Sequence, residues 1–244
     1  MMQRTISCPF CLQASQVYWA PCSVWQCTGC QLVFRHGVQT VGNLDDYYRE
    51  GWHNDRDNSK IVGGTDSKLA STYTKRLLKQ LRCPDLRHQT ILDFGAGQGA
   101  MMGALAESGA VVYGVDPYSS TFLQDQGLAV VVSLDQLPYG LRFDGIVTIQ
   151  VVEHLHEPWE VLRTLREKLA DSGWIYISTI NVRSLNARLK RAQWREVQNP
   201  GHLFFFSKTS LETILAGTGY ARFHEISNAI TYPSHSLPRQ ILSR

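Results

Sequence analysis

Cys8 and Cys11 form one C-x-x-C pair, and Cys27 and Cys30 form a second, with fifteen residues between Cys11 and Cys27. Two such pairs, each on a tight turn, can bring four thiolates to the corners of a tetrahedron, the arrangement of a zinc ribbon. Pro9 and Gly29 suit the two turns. Four protein sulfurs leave no open position for water or substrate, so a metal held this way is structural and not catalytic. The alternative is four reduced cysteines with no ligand. Cys22 and Cys83 have no C-x-x-C partner and read as free thiols, with Cys22 a minor candidate for ligand exchange.

A second constellation lies in "ILDFGAGQGAMMGALAESGAVVYGVD", from Ile91 to Asp116. An apolar run, a glycine-rich turn, a small-residue helix, another apolar run and an acid make a layout that holds a nucleotide. Gly95, Gly97 and Ala100 also satisfy the G-x-G-x-x-G/A pattern of nicotinamide and flavin sites, so the turn alone leaves hydride chemistry open. Further candidates for chemistry are His154 in "VEHLHEP" and His202 in "NPGHLFFF", since imidazole is the side chain best tuned to take a proton near neutral pH. Both residues can equally be structural, and His156 is expected to be exposed. Arg188, Arg191 and Arg195, at i, i+3 and i+7, would share one face of a helix, with Leu185 and Leu189 on another. Such a run is either a solvated face or a lid whose guanidinium groups meet a phosphate or carboxylate, with Trp194 as a stacking surface.

The elements that must position these groups follow from periodicity. "SKLASTYTKRLLKQL" places Leu69, Tyr73, Leu77 and Leu81 at near-helical spacing after an Asp66/Ser67 cap, which predicts a packing helix. Strands are expected over 90–94, 111–115, 130–133, 143–150 and 174–179, with helices over 99–108, 120–126 and 158–169 between them. That alternation predicts an α/β fold with a doubly wound parallel sheet. A helix and its loop are expected within 183–200, a capped helix in "SKTSLETILAGTGY", and a last strand around 221–226. The expected division is a ribbon over 1–40, a linker and packing helix over 41–87, the nucleotide domain over 88–230 and a tail over 231–244.

At 244 residues and 43% apolar composition, the chain has room for one α/β domain and a small appendage. A formal charge of +3 gives no ground for a nucleic-acid partner. The opening "MMQRTISCPFC" lacks the apolar core of a signal peptide, and no segment approaches the ~20 apolar residues that span a bilayer, so a soluble, cytoplasmic protein without a membrane partner is expected.

Asp93, two residues before the first glycine, completes D-x-G-x-G-x-G. With Asp116 ending the second strand and "VVEHL" following the fourth, it resembles the class I S-adenosylmethionine-dependent methyltransferases over about Thr90 to Ser227. With the paired cysteines and "DYYRE" in front and "GHLFFFSKTSLETILAGTGY" behind, the layout resembles the subgroup related to ubiquinone-biosynthesis and sugar C-methyltransferases. The resemblance implies a Rossmann-like sheet that binds S-adenosyl-L-methionine, beside a structural zinc ion. Gly95, Ala96, Gly97 and Gly99 would let the backbone approach the cofactor, and Asp93 would orient that loop or the cofactor's ammonium group. Asp116, followed by Pro117, would accept from the ribose hydroxyls. Asp135 lies where the family contacts adenine, but its carboxylate is shifted from the common pattern, so backbone atoms of Ser133 and Leu134 are the alternative. Gln150 would meet the amino-acid portion through its carbonyl, and His154 resembles the histidine of the family's Glu-His pair.

The implied partner is a small-molecule methyl acceptor, anionic if the arginine lid is real. An RNA methyltransferase using the ribbon and the arginine helix is the alternative; the acids of "LDDYYRE" and the low net charge count against it. A scaffold that has lost its cofactor is a third reading, opposed by the intact glycine turn and Asp116.

Overall fold

The computed structural model describes residues 6–37 and 67–222. The expected linker, including "DYYRE", and most of the last expected strand lie outside these residues. The chain divides into two compact units, one within Met1–Gln39, His156–Leu162 and Ile180–Arg244, the other within Thr40–Leu155 and Arg163–Thr179. No helix among the described residues is long and apolar enough to cross a membrane.

The cysteine-bearing unit begins with strands β1 (Ile6–Ser7), β2 (Ala14–Trp19), β3 (Val24–Cys27) and β4 (Val33–Arg35). They form an antiparallel sheet that β10 (Phe204–Phe205) completes beside β4, with Phe34 opposite Phe204. This pairing is not legible in the sequence. Buried Val24, Val33, Val182, Trp194, Val197 and Phe205 form the core of this unit.

The segment after Ile180 departs from the single helix expected there. It breaks into α5 (Leu185–Lys190), a 3-10 turn at Arg191–Gln193 and α6 (Arg195–Gln198). Arg191 has φ 48° and ψ −122°, and Trp194 is extended, so the helical repeat is lost twice. Arg188, Arg191 and Arg195 therefore do not share a helical face. Burial of Trp194 against Trp19 and Phe205 is what overrides the local helical preference. Trp194 is a core residue at 4% exposure and offers no stacking surface. Leu185 and Leu189 are the exposed residues, while Ala187 is buried.

The other unit is built on β5 (Thr90–Phe94), β6 (Val111–Val115), β7 (Val130–Val131), β8 (Phe143–Ile149) and β9 (Leu169–Ser178). All four pairings are parallel, in the order β7-β6-β5-β8-β9. The order reverses beside β5, which makes the carboxyl ends of β5 and β8 the switch point where such sheets bind ligands. Helices α1 (Ser67–Leu81), α2 (Ala100–Glu107), α3 (Ser120–Asp125) and α4 (Pro158–Lys168) alternate with the strands along the chain; α7 (Lys208–Gly217), which belongs to the cysteine-bearing unit, is capped reciprocally by Ser207 and Ser210. The buried stripe of α1 is Ala70, Tyr73, Thr74 and Leu77. Leu69 and Leu81 are only partly buried, so the stripe is rotated from the expected leucine row and carries two hydroxyls.

Candidate active site

Ile91 and Leu92 of β5 are fully buried, and β-branched and apolar neighbours on both sides leave the strand no solvated face. The strand ends at Phe94, and the turn that follows reverses direction through Gly95 at φ 83° and Gly97 at φ 53°, a region that L side chains avoid. The two glycines differ in their surroundings. A Cβ on Gly95 would stand 2.3 Å from Val151 Cγ2, whereas one on Gly97 would meet nothing within 4 Å. Gly97 therefore leaves its side of the turn open to a ligand. The turn is fixed by Gly95 and Ala96, whose N–H groups donate to the Val115 carbonyl at 2.8 and 3.2 Å. Gly99 caps α2, and Leu123 fills the space a Cβ would need.

Asp116, one residue past β6, binds this turn. Its Oδ2 accepts from Gly97 N–H at 2.8 Å, and its Oδ1 accepts from the N–H groups of Tyr118 and Ser119, each at 2.9 Å. The carboxylate is thus preorganised by backbone donors, and Pro117 beside it is exposed. Asp93 is buried at 2% exposure, and its Oδ2 has no hydrogen-bond partner. Burial, then the nearby Asp116 charge, pushes the Asp93 carboxyl up to about 8. Two buried acids thus lie near the glycine turn, one of them short of a hydrogen-bond partner.

Around the switch point, Gln150 follows β8 in a left-handed conformation, φ 57°, with its N–H donating to Ser178 O at 2.7 Å. A non-glycine residue held there stores backbone strain, which clusters at ligand sites. Glu153 is fully buried and its Oε2 accepts from Thr179 Oγ1 at 2.8 Å, fixing the loop after β8 to the end of β9. His154 is half-buried in that loop, its N–H donating to Val151 O at 2.9 Å. Tyr73 reaches the same edge, with its hydroxyl 3.2 Å from Ser178 Oγ and its ring edge-on to Tyr176. Burial pushes the Tyr176 phenol up to about 12. Tyr73 and Ser178 are not among the expected site residues; the hydroxyl stripe of α1 is a sequence signal for Tyr73, and Ser178 at the end of β9 has none.

Beyond β7, which stops two residues short of its expected end, Ser133 opens a 3-10 turn over Leu134–Gln136. Asp135 is exposed there, and a hydrogen bond from the Ser133 side chain holds its carboxyl below the usual range.

His202 belongs to the other unit. It is buried at 4% exposure, with Nδ1 2.8 Å from Glu196 O and Nε2 3.1 Å from Asn199 Nδ2. Asn199 Oδ1 accepts from Gly201 N–H, which leaves its amide NH2 to donate to Nε2 and makes Nδ1 the protonated nitrogen. The ring is thereby locked in one tautomer.

The four ribbon sulfurs lie within 4.8 Å of one another. Cys8 and Cys30 are 3.6 Å apart and Cys11 and Cys27 3.3 Å, close to the ~3.8 Å edge of a tetrahedron with ~2.3 Å metal–sulfur bonds. Leu12 and Gln31, the residues after each pair, take φ 62° and 61° and complete two matching knuckles. The donor set fits a closed tetrahedral centre. Cys22 stands outside it, its thiol donating to Ala192 O at 3.4 Å.

A family model described as "Methyltransferase domain" matches residues 66–225. Among curated relatives, a ubiquinone biosynthesis O-methyltransferase of Cereibacter sphaeroides is 29% identical over 139 residues, 52% of this chain and 55% of that protein. The chain spans about half the length of the curated relatives it matches. Among solved structures, a SAM-dependent methyltransferase of Archaeoglobus fulgidus aligns with TM-score 0.51 and 22% identity over 72% of this chain and 74% of its own. A Thermotoga maritima structure described as a possible histamine N-methyltransferase aligns with TM-score 0.54 and 17% identity, covering 72% of this chain and 81% of that one. These likenesses match the Rossmann-like sheet described above.

Proposed function

The chain belongs to the methyltransferase-domain family that it matches over residues 66–225, and from that premise we propose that it transfers a methyl group from S-adenosylmethionine to a small-molecule acceptor. The observation that carries this reading is the buried Asp93, with its unpartnered Oδ2, beside an open glycine turn and Asp116. A cationic cofactor suits the buried Asp93, an acid that the pyrophosphate of a nicotinamide dinucleotide would be repelled by, while Asp116 could take the ribose of either. The relatives' names support a small molecule over RNA.

When bound, the cofactor supplies a methyl group activated on a sulfonium, so the chain's own work is placement. In this reading Gly95, Ala96, Gly97 and Gly99 admit it, Asp93 faces its positive charge, and Asp116 takes the ribose with the lone pairs that the backbone leaves. Gln150 and the Ser133–Asp135 turn bound the amino-acid and adenine ends. His154 and His202 remain the candidate proton acceptors. The locked ring of His202 gives Nε2 the lone pair, at present turned to Asn199. Because α5 ends before Arg191, Arg188, Arg191 and Arg195 are not aligned to recognise an anionic acceptor together. Zinc is the proposed metal of the Cys8, Cys11, Cys27 and Cys30 centre, and a reducing compartment such as the cytoplasm keeps those thiols available.

Calorimetry tests the assignment: S-adenosylmethionine is expected to bind and NAD to give no signal, and Asp116→Ala to weaken cofactor binding by ~2–4 kcal/mol. NAD binding without an S-adenosylmethionine signal would reverse it.

A further inference from the structure

The segment that follows β9 is built into the cysteine-bearing unit. A single side chain gathers it there. Arg35, the last residue of β4, donates from Nη2 to Val197 O at 2.7 Å and Asn199 O at 3.2 Å, from Nε to His202 O at 3.2 Å and from Nη1 to Cys22 O at 3.3 Å. Its own N–H donates to Leu203 O at 2.9 Å, and its guanidinium carbon lies 5.7 Å from the centre of the Phe205 ring. The plane and fork of a guanidinium can hold four carbonyls in fixed directions, which an ammonium cannot. Desolvating the cation costs free energy, offset here only because those carbonyls converge on it.

The clamped backbone is the same one that locks His202. Asn199, whose carbonyl Arg35 holds, donates to Nε2, and the carbonyl of His202 itself is another acceptor of Arg35. In the other direction the clamp leads to the cysteines: β3 ends at Cys27, whose N–H donates to Leu32 O, and β4 starts at the next residue. We propose that Arg35 is a positioning residue for His202, fixing the 197–203 backbone and the His202 tautomer on the cysteine ribbon. This assignment rests on the methyltransferase reading. It makes the ribbon a mount for the segment bearing a candidate proton acceptor.

The test uses the full metal-loaded chain as wild type, Arg35→Met and Arg35→Lys, with His202→Gln to assign the imidazole signals. In Arg35→Met, amide exchange over 197–203 should accelerate on the order of 100-fold, as expected for losing the charge-assisted bonds that Arg35 makes to this segment, and the nitrogen signals of His202 should change from a single Nδ1–H tautomer to a mixture. Exchange over 90–149 and affinity for S-adenosylhomocysteine should stay unchanged. Methyl transfer from labelled cofactor into a small-molecule extract of the source cells should fall in Arg35→Met and recover in part in Arg35→Lys. If Arg35→Met does not fold, intermediate exchange and tautomer changes in Arg35→Lys carry the test. Unchanged exchange and tautomer in the folded variants, or transfer equal to wild type in Arg35→Met, would overturn the proposal. Wild-type chain that labels nothing would count against the methyltransferase reading, while the exchange and tautomer results still decide the clamp.

Discussion

Asp93 ties the candidate site to pH. Its carboxyl is raised to about 8 in the folded chain against an ordinary 3.8, so between those values the folded state holds a proton that the unfolded state has released. Stability from this group is therefore complete below pH ~4 and falls as pH rises toward 8, by at most ~1.4 kcal/mol per unit. A bound cation reverses the preference, because it favours the carboxylate. Cofactor affinity is then expected to rise with pH up to about 8, with protons released on binding; calorimetry in buffers of different ionisation enthalpy measures that release. Asp93→Asn should bind more weakly and lose the pH slope, and a wild-type affinity flat from pH 6 to 8 would count against a charged role. The two glycines of the turn separate stability from binding. Gly95→Ala combines a left-handed backbone with the Val151 clash and should cost ~2–4 kcal/mol of stability. Gly97→Ala meets no protein atom and adds only the strain of a left-handed backbone, so it should cost ~1–2 kcal/mol of stability, less than Gly95→Ala, while cofactor affinity drops; unchanged affinity would mean that Gly97 does not face the ligand. Asp93, the glycines and Asp116 were legible in the sequence because their relation is set by a short strand–turn–helix spacing. Arg35 was not, since a cation ending a short strand carries no local sign of four carbonyls brought to it from remote segments.

The limits of local pattern show most clearly in the segment from Ser184 to Gln198. Ser184 caps α5 by accepting from Ala187 N–H, and the arginine spacing continues a helical repeat through Arg195. The fold ends the helix at Arg191 so that Trp194 can join Trp19 and Phe205. Arg191 holds φ 48°, a conformation that glycine adopts without its Cβ penalty. Arg191→Gly is accordingly expected to raise stability by ~0.5–1 kcal/mol in chemical denaturation. A continuous helix predicts the opposite sign, a loss of ~1 kcal/mol, so this one substitution separates the two arrangements. The parallel sheet gave the contrary lesson. Its strands alternate with helices, and β5 and β8 are apolar on both faces, so their order in the chain and their burial agree with the sequence pattern. α1 lies between these cases: its period is helical as expected, but the stripe turns to bury Tyr73 and Thr74, whose hydroxyls have partners in Ser178 and the Ala70 carbonyl.

At the scale of the whole chain, the doubled C-x-x-C motif announced a compact metal centre, and the four sulfurs do converge. Purified without added metal, the protein is expected to carry one zinc per chain by elemental analysis, and Cys27→Ser/Cys30→Ser to lose it along with thermal stability. A stoichiometry near zero would remove zinc from this account. The sequence did not reveal that the ribbon's sheet is completed by β10, because strand pairing over so long a separation has no periodic signature. That pairing has a consequence for how the protein is made. Arg35 and His202 are 167 residues apart, so at ~5–20 residues per second a ribosome needs roughly 8–30 seconds to deliver what covers the edge of β4. During that interval the nascent ribbon presents unpaired backbone groups that another polypeptide could capture. Translation speed and chaperone supply are then expected to influence how much of the newly made chain reaches its final state.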